Sequence, residues 1–335
     1  MRRVILGMVL LAAVWSAWWG VAAGGLHQGL TRWFDARRAE GWQADVASLP
    51  MHGYPFTLGV TLVRPVLADP ATGVAIEASG LTIRAPAYWP GYVTLEVPDD
   101  PILLASPQGR ASLTLQDGRA DLRLHPGTAL ALDSMAVTTG AWSLDAHGDG
   151  SVMSAQTLTL AMTETDGPEA AYRFDIVAEG FRPGDLPRAR LRVPRDWPLR
   201  FDSLKARMDA TFDRRWDRRA IEDARPQPRS LDLNLLEAVW GDLRIKAAGT
   251  LTIDAEGVPD GTVSVQAENW RDLLDLADAA GLLPGPVRSQ VERALGTLAG
   301  LTGNPDTLDV QLNVRNGFVA AGFLPLGPAP RLILR

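Results

Sequence analysis

The sequence predicts a mainly β protein: an N-terminal transmembrane helix, a large antiparallel-sheet meander or sandwich, and a helical pair near the C-terminus. Three observations predict it. An uncharged apolar run fills residues 4–23, directly after Arg2 and Arg3. From about Gln43 the apolar period becomes two, with turn residues returning at roughly ten-residue spacing. The 32 glycines and 24 prolines are spread as punctuation between short apolar alternations, which gives many turns.

The apolar run contains Leu6, Leu10, Leu11, Val14, Trp15, Trp18 and Trp19. At 1.5 Å per residue, about 20 residues cross the roughly 30 Å hydrocarbon core. Arg2 and Arg3 lie on a cytoplasmic tail of residues 1–3, and this basic start puts the body on the other side of the membrane. The expected address is therefore the bacterial inner membrane, single-pass, with a periplasmic body. The three indoles suit the outer membrane–water interface. Val21 and Ala23 would also allow signal cleavage before Gly24, but the run exceeds the roughly 7–15 residues of a signal core.

Residues 26–41 read as a juxtamembrane amphipathic helix. Leu26, Leu30, Trp33 and Phe34 share one face, Arg32, Arg37 and Arg38 the other, and Gly41 stops it. A β-rich periplasmic region follows over 43–212. Phe56, Leu58, Val60 and Leu62 alternate; Leu113 and Leu115 are expected to pair with Leu122 and Leu124 across an Asp117-Gly118 turn. Further strands are expected at Trp142 and Leu144, at Leu158 to Met162, at Phe174 to Ala178, and at Leu191 and Val193.

Residues 213–229 mix both charge signs and end in two prolines, as an exposed loop or domain seam would. The C-terminal region, 230–335, is the most orderly. Leu231, Leu233 and Leu235 alternate, and Leu251 and Ile253 answer Val263 and Val265 across a Gly/Pro/Asp turn. Asn269 is expected to cap a helix over about 270–280, and Pro286 opens a second over 286–299. Leu308 to Val314 then meets Asn316-Gly317, the strongest short hairpin signal in the chain.

Composition excludes several classes. The chain has no Cys, which removes disulfides, thiolate metal sites, cysteine nucleophiles and a lipoprotein anchor together. A net charge of −6 gives no footprint for nucleic acid. His27, His52, His125 and His147 are scattered, and no H-E-x-x-H, G-x-S-x-G, Walker or dinucleotide fingerprint occurs. No catalytic, cofactor or metal residue is assigned. The local carboxylate clusters (Asp99-Asp100, Asp145 with Asp149, and Asp254 with Glu256 and Asp260) fall where turns between strands need acidic residues.

The order of short motifs points to a family. A basic start and anchor lead to an amphipathic helix ending Glu40-Gly41-Trp42, then Gly53-Tyr54-Pro55-Phe56, then Leu67-Ala68-Asp69-Pro70-Ala71-Thr72-Gly73. The chain closes with the Asp254-to-Gly261 hairpin and Gly322-Phe323-Leu324-Pro325-Leu326-Gly327-Pro328-Ala329-Pro330. Nearly the whole chain resembles the alphaproteobacterial domain-of-unknown-function family 2125, which implies no activity or catalytic residue. Its anchored, strand-rich layout is also loosely similar to the AsmA-like envelope proteins, whose long sheets imply lipid handling by architectural analogy alone.

A meander whose alternate residues are Leu, Val, Ile and Phe has one apolar face that something must cover. The expected function is a non-enzymatic envelope factor whose apolar sheet face binds or guides lipid. Leu251, Ile253, Val263, Val265, Leu273, Leu274, Val310 and Leu312 are the lining residues expected for it. The expected partners are the membrane and an envelope phospholipid. A scaffold with a closed core and protein partners, or a carboxylate enzyme on envelope glycans or lipids, are the competing readings.

Overall fold

A computed structural model of the chain describes all residues except 168–169, 282–284, 302–303, 323 and 335. The Phe323 of the closing motif therefore lies outside the described residues. The protein is mostly β with an N-terminal apolar helix and large antiparallel sheets, as the periodicity requires.

The first element is one helix, α1 (Arg2–Ala39). The separate segments expected over 4–23 and 26–41 run together, because Gly24 and Gly25 stay helical and continue the same face. Its C-terminal half is held by packing. Phe34 is buried with Ala44, Val60 and Leu62, and Leu26, Leu30 and Trp33 pack around them.

The chain forms two compact units, Met1–Pro126 with Val137–Gly148, and Gly127–Ala136 with Asp149–Arg335. In the first lie β1 (Gln43–Asp45), β2 (Met51–His52), β3 (Thr57–Val63), β4 (Val66–Asp69), β5 (Val74–Glu77), β6 (Gly80–Pro86), β7 (Tyr92–Glu96), β8 (Ile102–Ser106), β9 (Gly109–Leu115) and β10 (Arg119–Leu124). Next come β11 (Leu132–Thr139), whose residues divide between the units, and β12 (Trp142–Ala146) in the first. The first unit holds two ladders, β1-β4-β5-β8-β9-β12 and β2-β3-β6-β7-β10.

The chain weaves between these ladders two strands at a time, bending at each crossing. Paired backbone bonds stitch one bend: Arg64 N–H to Ser79 O (3.0 Å) and Ala78 N–H to Pro65 O (3.2 Å). Asp99 accepts the Asp117 N–H at 3.0 Å, and Asp100 accepts the Ser79 hydroxyl at 2.8 Å. Two carboxylates of a candidate acidic cluster are thus structural acceptors.

The expected Asp117-Gly118 hairpin does not form. Leu113 pairs with Leu144 and Ile102, whereas Leu122 pairs with Val93 in the other ladder. Asp117 takes a φ of 51°, and a Cβ on Gly118 would sit 2.7 Å from Val97 Cγ2. The same left-handed freedom that suits a hairpin turn here bends one strand from ladder to ladder.

The second unit contains β13 (Gly150–Ala155), β14 (Thr157–Glu164), β15 (Ala170–Glu179), β16 (Arg182–Pro183), α2 (Asp185–Arg190), β17 (Ser203–Phe212), α3 (Arg219–Glu222), β18 (Pro228–Trp240), β19 (Leu243–Ile253), β20 (Pro259–Glu268), α4 (Arg271–Ala279), α5 (Gly285–Leu301), β21 (Thr307–Arg315), β22 (Phe318–Ala321) and β23 (Leu324–Pro328). Its main ladder runs β14-β15-β17-β18-β19-β20-β21-β22-β23. Both expected C-terminal hairpins form, Ile253 pairing with Pro259 and Arg315 with Phe318, with Asn316 and Gly317 at positive φ.

Two local expectations are corrected. Leu191 and Val193 are in no strand; they follow α2, whose end turns at Arg192 with φ 50°. Asn269 does not cap α4: it has φ 56° and its side-chain amide donates to Asp242 O at 2.7 Å, tying the helix start to the β18–β19 turn. Of the two readings of residues 213–229, the exposed loop describes them: they join β17 to β18 through α3 within the second unit, and the division between units falls elsewhere.

Tyr172 locks one end of this unit. It is fully buried; its hydroxyl accepts the Trp216 N–H at 3.1 Å and donates to Leu132 O at 3.4 Å. Burial raises its pKa, so it remains a neutral donor and acceptor. Tyr172→Phe leaves the Trp216 amide unsatisfied and is expected to cost about 1–3 kcal/mol, read as a lower urea midpoint at unchanged slope.

Candidate functional site

The second unit's ladder sorts its side chains by face, because residues paired across antiparallel strands point the same way. Four apolar rows result. One reads Tyr172, Ala210, Leu231, Leu251, Gly261, Val314 and Val319; the next Met162, Phe174, Met208, Leu233, Gly249, Val263, Leu312 and Ala321. The third reads Leu160, Ile176, Ala206, Leu236, Ala247, Val265 and Val310; the last Leu158, Ala178, Leu204, Ala238, Ile245, Ala267 and Leu308.

A bulge in β18 keeps these rows intact. Between Leu233 and Leu236 the register shifts, so Leu236 takes the apolar face and Leu235 pairs with Arg207 on the other. The Leu231–Leu233–Leu235 alternation expected from sequence is therefore broken, and Leu235 is 37% exposed. The extra residue, Asn234, donates to Asp209 at 2.9 Å on the polar face.

That polar face is laced with ion pairs: Arg173–Asp209 at 2.9 Å and Arg207–Asp175 at 2.6 Å. Burial raises the Asp209 pKa, but bonds from Arg173 and Asn234 outweigh it and hold the carboxyl below the usual range. One face is thus fixed for water and the other for hydrocarbon.

Cover over the apolar face is uneven. Its ends are closed. At one, Trp240 stacks on Phe201 (4.7 Å) and meets Trp197 edge-on (4.8 Å), while Leu243 and Ala267 are buried. Trp270 just before α4, Leu274 of α4 and Ala299 of α5 form a buried cluster with Ala267. At the other, Tyr172, Phe212 and Trp216 pack edge to face, and the C-terminal tail crosses to bond Gly257 and Gln227. In the two middle rows Met162 and Ala247 are buried, while Phe174, Ile176, Met208, Leu233, Leu236, Val263, Val265, Val310 and Leu312 are only half-buried.

Two glycines let neighbouring strands approach closely on this face. A Cβ on Gly249 or Gly261, both on the apolar side, would overlap the facing strand's backbone at Thr262 O or Thr250 O. The four rows span about 20 Å along the strands at 3.4 Å per residue. One leaflet of a bilayer's hydrocarbon is about 15 Å deep, a comparable length.

The expected lining residues fall into two groups. Val263, Val265, Val310 and Leu312 lie in the half-buried middle, with Leu251 just beyond and Ile253 buried at the closed end. Leu273 and Leu274 lie instead in the α4–α5 cluster that plugs the opposite end. Sequence reasoning missed Phe174, Met208 and Leu236 as neighbours of the same face; the first two carried the alternation signal, but Leu236 did not, since the bulge hides it.

The carboxylates serve the backbone. Asp254 accepts the Glu256 and Val258 N–H groups at 3.0 and 2.8 Å, shaping the β19–β20 turn. Asp145 accepts the Ser143 hydroxyl at 2.9 Å. Among the described residues no group of three or more His, Asp or Glu side chains is placed to hold a metal ion.

A family model described as an uncharacterized protein conserved in bacteria (DUF2125) matches residues 19–330. No curated protein matches the chain.

The close approach at these glycines has a direct consequence. Gly249→Ala forces a methyl group into strand backbone and is expected to destabilise by about 1–3 kcal/mol. Gly296→Ala, in open space within α5, is expected to stabilise by roughly 0.5–1 kcal/mol. Thermal melts of both variants check the pair.

Proposed function

The chain belongs to the DUF2125 family, and we propose that it is an inner-membrane protein with a cytoplasmic N-terminus and a periplasmic body that holds or guides lipid hydrocarbon without catalysing a reaction. The observation that carries this reading is the half-buried centre of an apolar sheet face closed at both ends. A sealed core buries its middle most deeply; here the two outer rows bury Tyr172, Ala210, Val314, Ala178 and Ala267, whereas the two middle rows bury only Met162 and Ala247. The occupant that fits is flexible, apolar and about one leaflet long.

The anchor supports the address. α1 is 38 residues long and includes an 18-residue window of mean hydropathy 2.0, with Arg2 and Arg3 at its start. A hydrocarbon-binding face on an anchored body acts beside a lipid source, where a soluble carrier would first have to reach one. The acidic residues nearest the strand turns are bonded to backbone and hydroxyl groups, which favours structural work for them over acid–base chemistry.

The test is lipid retention by the full chain through detergent exchange, counted by native mass spectrometry. Leu251→Asp and Val265→Asp place a carboxylate beside the hydrocarbon, at a cost of about 2 kcal/mol or more, so retained phospholipid is expected to fall at least about tenfold. Ser264→Asp, on the polar face, is expected to leave it unchanged. Equal retention in all three variants, with folding intact by circular dichroism, would replace lipid handling with the scaffold reading.

A further inference from the structure

The anchor is not tethered to the body by a flexible linker; it is fastened to it from within its own apolar run. The Trp15 indole donates to Pro55 O (2.8 Å), Trp19 to Thr57 O (2.9 Å) and Trp18 to Ala87 O (3.3 Å). The Ser16 hydroxyl meets the Tyr54 hydroxyl at 2.7 Å, and the Trp19 and Tyr54 rings pack edge to face at 5.4 Å. Ala23 is buried against Leu58 and Ala87. These contacts all belong to the two loops that end β2–β3 and β6–β7.

Length then decides where those loops sit. The apolar run begins after the charged Arg2 and Arg3, so only its residues 4–14 lie ahead of the fastening, about 16 Å of helix at 1.5 Å per residue. The hydrocarbon core is roughly 30 Å thick, so the span must continue to about Ala23. Every residue from Trp15 onward that enters the membrane brings the fastened loops with it. Those loops are built for such a place. Residues 50–57 and 85–92 carry no Asp, Glu, Lys or Arg, in a chain that is 21% charged. They expose Tyr54, Phe56, Tyr88, Trp89 and Tyr92, with Phe56 and Tyr88 each 72% exposed. Arg123 lies over the Tyr92 ring at 5.5 Å, at the edge of this group.

We infer that this aromatic collar is a membrane-contact surface: Tyr54, Phe56, Tyr88 and Trp89 lie in the outer leaflet's interface, so the first unit rests on the bilayer. Tyrosine and tryptophan, with a polar tip on an apolar ring, favour that depth, and Phe56 beside them puts its ring into the acyl boundary. The inference rests on the reading of α1 as the anchor and adds to it a seated body. The observations favour lipid over a protein partner, because the collar continues the exposed apolar surface of α1 (Val14 61% and Val21 72% exposed) without a break in the contacts.

The absence of cysteine makes the test clean. Single-cysteine variants Leu10→Cys, Phe56→Cys, Tyr88→Cys and, as a control in the β8–β9 turn, Gln108→Cys are nitroxide-labelled in the full chain. The chain is reconstituted in phosphatidylcholine–phosphatidylglycerol vesicles, and collisions with oxygen and with a water-soluble nickel chelate are compared. All four side chains are exposed, so folding is retained. Labels at 10, 56 and 88 are expected to favour oxygen, and the label at 108 to favour nickel. If 56 and 88 behave like 108 while 10 stays in lipid, the anchor holds and the seated body is wrong. If 56 and 88 are shielded from both reagents, a protein partner covers the collar and the inference is overturned. If 10 also favours nickel, the anchor reading itself fails.

Discussion

Register is the constraint on which this protein depends. Along the seven neighbouring strands from β14 to β21 of the second unit's ladder, each pairing sets an inward apolar residue opposite another, from Leu158–Ala178 through Ala206–Leu236 to Val265–Val310. A one-residue slip in any pair would turn a whole strand's leucines and valines to water and its arginines and aspartates inward. The bulge at Asn234 shows the constraint at work, since it absorbs one extra residue and returns Leu236 to the apolar side. The ion pairs on the opposite face act in the same direction: Arg173–Asp209 and Arg207–Asp175 are cross-strand pairs that exist only in this register.

Closure at the ends follows from a different kind of residue. Aromatic side chains gather there, and three are anchored by a polar handle: Trp240 to Pro198 O, Trp270 to Pro305 O, and Tyr172 to Leu132 and the Trp216 backbone. Large rings fill the wide end gaps, and their hydrogen bonds fix the loops that would otherwise fray. The middle rows are built mainly from aliphatic residues and methionine, with Phe174 the one aromatic, and apart from Met162 and Ala247 they stay half-buried. Energy is thus concentrated at the rims, which allows the centre to remain thinly covered without loss of the fold.

Much of this was legible in the sequence because it depends on neighbours. The alternation of Leu251, Ile253, Val263 and Val265 and the Asn316-Gly317 turn need only local chemistry, and they form as expected. What was not legible depends on distant partners. Asp117-Gly118 has the composition of a hairpin, but whether its flanks pair with each other or with Val93 and Leu144 is decided outside the dipeptide. Trp15, Trp18 and Trp19 read as membrane-interface residues, yet their indole N–H groups are satisfied by carbonyls at Pro55, Ala87 and Thr57. Periodicity likewise shows that Leu273 and Leu274 face inward but not that Trp270 and Ala299 receive them, so two of the lining candidates belong to the end plug.

The most direct measurement of the central claim, that the middle of the apolar face meets lipid, is site-specific photo-cross-linking in intact membranes. A benzophenone amino acid at Leu312 faces the thinly covered centre, and the same group at Gln311 faces the polar side. The account predicts a phospholipid adduct at 312 and none at 311. Adducts at both positions, or cross-links from 312 only to the protein's own chain, would contradict it.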